Sequence, residues 1–310
     1  MSPAHQRAAS VVTDFFGLSP ATVRTVTTWN PTVVVKAVLA DGSTVFVKAA
    51  ETENVHTEAA ALDHVRPAGV PTVETLGVGI DDQLPGGRWM ITSAAPGRTL
   101  ESVGLQTPAT ARTLADLAEC YTRLHRVRLP GFGPLTDDGR SGTLESWSQW
   151  QRLAIEQALA ALEGAHAVAP GFTDRVRDLC ASFATSLDEA PGALLNAEVG
   201  DGEAFVDPAT GAVTAIVDWG SALVGDPLYD LARFVAGGPA DDPRPALVHP
   251  RLHAEYFARN AYDPGHARRM LRFYRFHICV IEAAWGQELG WTPSLVARAE
   301  QLLAELEPDR

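Results

Sequence analysis

The first hundred residues carry short runs of β-branched side chains, whereas the remainder carries apolar positions at helical spacing. Val23–Trp29 and Thr32–Ala40 read as strands, and Asp41-Gly42 is a hairpin signal that returns the chain along Thr44–Ala50. The spacing predicts a helix over Glu51–Val65, stopped by Pro67 and Gly69. Val73–Ile80 and Arg88–Ser93 predict two more strands around a turn containing Pro85-Gly86-Gly87. The result is an antiparallel sheet with one inserted helix.

Beyond Pro96-Gly97 the period changes. Pro108–Arg128 places Leu114, Leu117, Ala118, Tyr121 and Leu124 on one helical face, and Trp147–Leu162 and Phe172–Leu187 are further amphipathic helices. A β-rich stretch, Leu194–Asp218, interrupts them. Helices then run onward, the longest near His266–Leu289, followed by Pro293–Leu306. The change near Ser93–Arg98 predicts an α+β protein of two lobes: a β-rich lobe over 1–95 and a larger helical lobe over 96–310. The cleft between lobes is where ligands usually bind.

The chain has 310 residues, 46% hydrophobic and 20% charged, as expected of a globular protein with a real core. There is no apolar run long enough for a membrane span, and Met1–Gly17 lacks the features of a secretory leader. Cys120, Cys180 and Cys279 lie far apart and form neither a metal pair nor a disulfide framework, so a cytoplasmic location is expected. The formal charge of −13 argues against a nucleic-acid partner, which needs a basic face. Lys36 and Lys48 are the only lysines among 25 basic residues, so each stands out against the arginines.

Three segments hold candidate chemistry. Lys48 closes the apolar strand Val45-Phe46-Val47 and faces the inserted helix, which carries Glu58. A strand lysine paired with a helix carboxylate is how kinase-type folds hold nucleotide phosphates. The strand Ala215-Ile216-Val217 delivers Asp218 at its end, where a carboxylate can hold Mg²⁺ between phosphate oxygens. In Gly225-Asp226-Pro227-Leu228-Tyr229-Asp230-Leu231-Ala232, Asp226 reads as an N-cap before a first-turn proline, and this helix start is expected to brace the loop before it.

Taken in order, strand lysine, helix glutamate, apolar-apolar-Asp-Trp and Gly-Asp-Pro-x-x-Asp-Leu-Ala, the chain resembles the aminoglycoside phosphotransferase and choline-kinase-like family from about Val33 to Ala236. Ala95-Pro96-Gly97-Arg98-Thr99-Leu100, Leu124-His125 and Gly131-Phe132-Gly133 also agree with its pattern. The resemblance implies a bilobal protein-kinase-like fold, with ATP and Mg²⁺ as cofactors. It places Lys48 and Glu58 on the nucleotide and Asp218 on the metal.

The catalytic loop departs from the family pattern L-x-H-G-D-x-x-x-x-N-x-x-x-D. Aligned without a gap, it reads Leu194 to Asp207, with Asn196 for the histidine, Ala197 for the glycine, Glu198 for the catalytic aspartate and Glu203 for the metal-binding asparagine. Glu198 keeps a carboxylate but moves its oxygens by about 1 Å, a shift that can cost roughly a hundredfold in rate. Glu203 remains an oxygen donor that Mg²⁺ accepts and adds a negative charge. The stretch Asn30-Pro31-Thr32 contains no glycine, where kinase-type folds often cover the phosphates with one.

Two readings follow. In one, the chain is an ATP-dependent phosphotransferase acting on a hydroxyl of a small molecule, with Glu198 as base, Asn196 ordering the loop, and Asp218 and Glu203 holding Mg²⁺. In the other, the fold is kept but phosphoryl transfer is lost, and the cleft binds a ligand, peptide or partner protein, or runs another reaction. Carboxylates at both altered positions favour the first. For the acceptor side, Glu282 and Trp285 on the long helix, and Trp147 and Trp150, are candidates beside the simpler reading of packing residues. His56 and His64 lie two turns apart and His266 and His277 are not at ligand spacing, and without a matching Cys or carboxylate cluster no zinc site is expected.

Overall fold

The computed structural model describes residues 2–26, 32–52, 54–105, 110–234 and 244–307, with backbone only for 244–248. Residues 27–31 lie outside this set. The first predicted strand is therefore described only as far as Val26, and Asn30-Pro31 of the glycine-free loop is not described.

The chain opens with a helix, α1 (Pro3–Phe16), where the sequence predicts none. Ser2 caps it by accepting the His5 N–H, Pro3 occupies the first turn, and Gly17 ends it at φ 69°. Strands β1 (Thr22–Val26), β2 (Val33–Val38) and β3 (Thr44–Ala49) follow, then α2 (Val55–Val65), β4 (Thr75–Ile80) and β5 (Arg88–Ser93). The strands form an antiparallel sheet in the order β1-β2-β3-β5-β4. Alternation sorts its two faces. Val33, Val35, Val45, Val47, Ala49 and Ile91 pack with Ala8, Val11 and Val12 of α1. Lys48 pairs in register with Met90, whose side chain joins Val55, Ala59 and Leu62 of α2 in the second core. Lys48 is thereby turned toward α2. That helix begins at Val55 rather than Glu51, because Asn54 caps it by accepting the His56 N–H.

Past β5 the chain crosses to the helical lobe. Strand β6 (Arg98–Thr99) leads into α3 (Leu100–Val103) and α4 (Thr110–Leu124). Strands β7 (Phe132–Leu135) and β8 (Gly142–Leu144) precede the long helices α5 (Trp147–Gly164) and α6 (Phe172–Asp188). Then come β9 (Ala193–Leu195), β10 (Ala204–Val206), β11 (Val213–Ile216) and β12 (Leu223–Gly225), followed by α7 (Pro227–Arg233), α8 (Arg244–Phe257), α9 (Pro264–Trp285) and α10 (Thr292–Leu306). β6 pairs with β10 in the sheet β11-β10-β6, so the crossing segment is stitched directly to the loop region. A glycine is needed at that crossing: Gly97 lies at φ 90°, and a Cβ there would fall 2.4 Å from the Val206 carbonyl oxygen. A third sheet, β8-β7-β12-β9, fixes both ends of the segment that carries the candidate site.

This is a kinase-like α+β architecture, an antiparallel five-stranded sheet followed by a larger helical lobe. Among the described residues no helix is long and apolar enough to cross a membrane. All three cysteines are free, and burial raises each thiol to about 12.

Candidate active site

Four segments meet where the two lobes touch. Strand β3 supplies Lys48, α2 supplies Glu58, the loop after β9 supplies Asn196 to Glu203, and the turn after β11 supplies Asp218. The Lys48 ammonium stands 2.9 Å from Glu58 Oε2 and 2.7 Å from Asp218 Oδ1. The lysine and glutamate side chains are 15% and 6% exposed, but Asp218 is 40% exposed and so forms the lip of the site. Glu58 also accepts the Trp219 N–H at 3.3 Å, so one carboxylate of the first lobe reads both the lysine and the turn of the second. Burial pushes the Glu58 carboxyl above its ordinary value; the Lys48 charge opposes this and Asp218 adds to it.

Asn196 is fully buried and ties the loop to that turn. Its Nδ2 donates to the Asp218 carbonyl at 2.9 Å, and its Oδ1 accepts the Glu198 N–H at 3.1 Å. An asparagine side chain can serve both bonds at once because it carries a donor and an acceptor. Glu198 follows at the half-buried rim, close enough for its charge to act on Arg233 and Tyr229. Glu203 folds back on its own loop: Oε2 accepts the Gly200 N–H at 2.9 Å, and its backbone carbonyl accepts the Val217 N–H. Burial raises its carboxyl, and so does Asp218, against the pull of the Gly200 N–H and Arg233. Two residues in this site hold positive φ without being glycine, Ala197 at 67° and Asp218 at 61°. Such backbone is stored strain and clusters at functional sites.

The bracing expected of α7 is present. Asp226 caps the helix by accepting the Leu228 N–H and accepts the Tyr274 hydroxyl at 2.7 Å. Asp230 accepts the N–H groups of Asn196 and Ala197 at 3.1 and 2.8 Å. Behind it, His125 Nε2 stands 3.1 Å from Asp230, and its Nδ1 is 2.9 Å from the Tyr256 hydroxyl. Asp207, which the loop alignment reaches last, tightens the β10–β11 turn by accepting the Ala209 and Thr210 N–H groups.

The acceptor candidates separate by burial. Trp147 is fully buried, donates to the Tyr274 hydroxyl and stacks on Trp150, which is half-buried against the core. Glu282 is engaged by Arg233 at 2.7 Å, whereas Trp285 is 76% exposed. The sequence reading passed over Arg233. Its signal was its place: three residues after Asp230, on the helix face that meets the loop.

A model of the phosphotransferase enzyme family (APH) matches residues 17–272. A thermostable mutant of the aminoglycoside phosphotransferase APH(4)-Ia superposes with a TM-score of 0.75 at 18% identity, covering 96% of this chain and 98% of that one. A putative fructosamine-3-kinase from Thermobifida fusca superposes at 0.70 and 17% identity over 96% and 97% of the two chains. APH(2")-IIia, in a complex with GDP and kanamycin, gives 0.68 at 14% identity over 97% of each chain. No curated protein matches. With the family model spanning most of its length, the chain belongs to the APH phosphotransferase enzyme family.

Proposed function

We propose that the chain transfers the γ-phosphoryl group of ATP to a hydroxyl of a small polyhydroxylated molecule, with Glu198 as the base. The observation that carries this reading is the Lys48 ammonium, placed between Glu58 and Asp218 where the two lobes meet. Structural neighbours support it: one is a ternary complex of APH(4)-Ia with ADP and hygromycin B.

The residues fit a magnesium nucleotide. Mg²⁺ takes hard oxygen donors and is usually bound by one or two carboxylates together with substrate phosphates, not by an all-protein cage. Among the described residues no cluster of three or more His, Cys, Asp or Glu side chains could hold a metal ion, while Asp218 and Glu203 offer two carboxylates beside the phosphate-binding lysine. Asp218 would give its exposed carboxylate, and Glu203 the oxygen not spent on Gly200. Bound Mg²⁺ would supply charge neutralisation on the phosphate oxygens. Lys48 would hold the phosphates, with Glu58 keeping its ammonium in place. Asn196 fixes the relation of the loop to Asp218. Glu198 would take the proton of the acceptor hydroxyl as that oxygen bonds to phosphorus and the bond to ADP breaks. On the acceptor side, the exposed ring of Trp285 is the most accessible of the candidates, Trp147 being buried and Glu282 engaged by Arg233.

Purified protein with Mg²⁺-ATP, offered aminoglycosides and fructosamines, is expected to yield a phosphorylated acceptor. Glu198→Gln should lower kcat by about 10²–10⁴ while ATP binding persists. Equal turnover by that variant, or no ATP consumption with any acceptor, would refute the reading.

A further inference from the structure

The residue before Glu198 is an alanine in a conformation that alanine disfavours. Leaving the left-handed well gains an L-residue about 1–2 kcal/mol, so an untethered Ala197 would hold its observed geometry roughly one time in ten. Something must hold it, and the holders are on one short helix. Asp230 of α7 accepts the Ala197 N–H at 2.8 Å. Arg233, one turn on, donates from Nε to the Ala197 carbonyl at 3.1 Å. The peptide units on both sides of Ala197 are therefore gripped from the same helix. The second unit is planar, so fixing its carbonyl also aims the Glu198 N–H, which donates to Asn196 Oδ1. Arg233 is itself fixed by Glu282 of α9, in a pair whose side chains are 20% and 19% exposed.

We propose that Arg233, anchored by Glu282, is a positioning residue that clamps the strained Ala197–Glu198 peptide and so sets where the Glu198 carboxylate stands. Glu282 then belongs to the clamp and not to the acceptor surface. This rests on the reading of Glu198 as base, but the clamp itself can be observed without it. Arg233 also brings a positive charge to a loop with carboxylates at both 198 and 203, and its guanidinium interacts favourably with each.

The test uses the full chain with water as the acceptor, following ATP hydrolysis, together with hydrogen exchange of the 194–203 segment. Arg233→Gln should lower kcat about tenfold, leave the KM for ATP unchanged, and speed exchange at the Ala197 amide about tenfold. Glu282→Gln should act in the same direction. Adding Ala197→Gly to Arg233→Gln should restore most of the kcat, because glycine enters the left-handed conformation without the steric penalty that alanine meets. The double variant Arg233→Gln/Glu282→Gln removes both charges of the pair and covers the case in which the single variant fails to fold. Unchanged exchange in these variants would overturn the clamp, as would a loss of kcat that Ala197→Gly does not restore. A wild type that neither binds nor hydrolyses ATP would sink the phosphotransferase reading alone, and exchange would still decide the clamp.

Discussion

At Ala197 a single methyl group sets the energetics of the loop. The residue is 5% exposed at φ 67°, where a Cβ crowds the backbone and glycine does not pay that cost. Ala197→Gly alone is expected to raise stability by about 1 kcal/mol, the strain relief outweighing the greater freedom of glycine in the unfolded chain. Urea denaturation would read this as a higher midpoint with an unchanged slope, and a lowered midpoint would contradict it. Residues such as Lys48 and Asp218 were legible in the sequence because each breaks an apolar run at a strand end. Arg233 was not: in a chain whose basic residues are nearly all arginine, one more on a helix carries no contrast. Its partner Glu282 lies on another helix, and only packing brings the two together.

At the scale of elements, the helices of the larger lobe bury histidines as neutral rings. Burial lowers His277 of α9 to about 4, with Nε2 against the Gln151 carbonyl. Burial, joined by the Arg275 charge, takes His249 and His253 of α8 to about 3 and about 4. The unfolded chain binds these protons near pH 6.5 and the folded one does not, so stability is full above that pH and falls as the pH drops toward 4. For His277 alone the span amounts to about 3 kcal/mol at the acid end. Thermal melts from about pH 7 to about pH 4.5 should show Tm falling, and less steeply in His277→Gln; a flat profile would contradict the neutral burial of these rings. Element types were largely legible where apolar contrast was strong: the strand over Arg88–Ser93 runs as the pattern predicts. Helix α1 was missed because its buried stripe is small, Ala8, Val11 and Val12, and its cap, Ser2-Pro3, was the only sharp signal. β7, β8 and β12 span three or four residues each, and distant pairing makes them strands, not local preference.

Across the whole molecule the two lobes are coupled through the groups that make the site. Lys48 to Asp218, Glu58 to the Trp219 N–H, and Thr72 to the Ile216 carbonyl all run between the sheet-bearing lobe and the helical one. A nucleotide that occupied Lys48 would compete with Asp218 for the same ammonium, so binding and the relation of the lobes are one equilibrium. Calorimetric titration of ATP, with and without Mg²⁺, into wild type and Lys48→Met, whose side chain keeps the unbranched volume, tests the nucleotide site directly. Saturable, Mg²⁺-dependent binding to the wild type is expected, with at least about tenfold weaker binding to the variant, the loss of one charge-assisted contact. Absence of Mg²⁺-dependent binding to the wild type up to about 1 mM ATP, the upper end of ordinary KM values, would contradict a nucleotide site at Lys48.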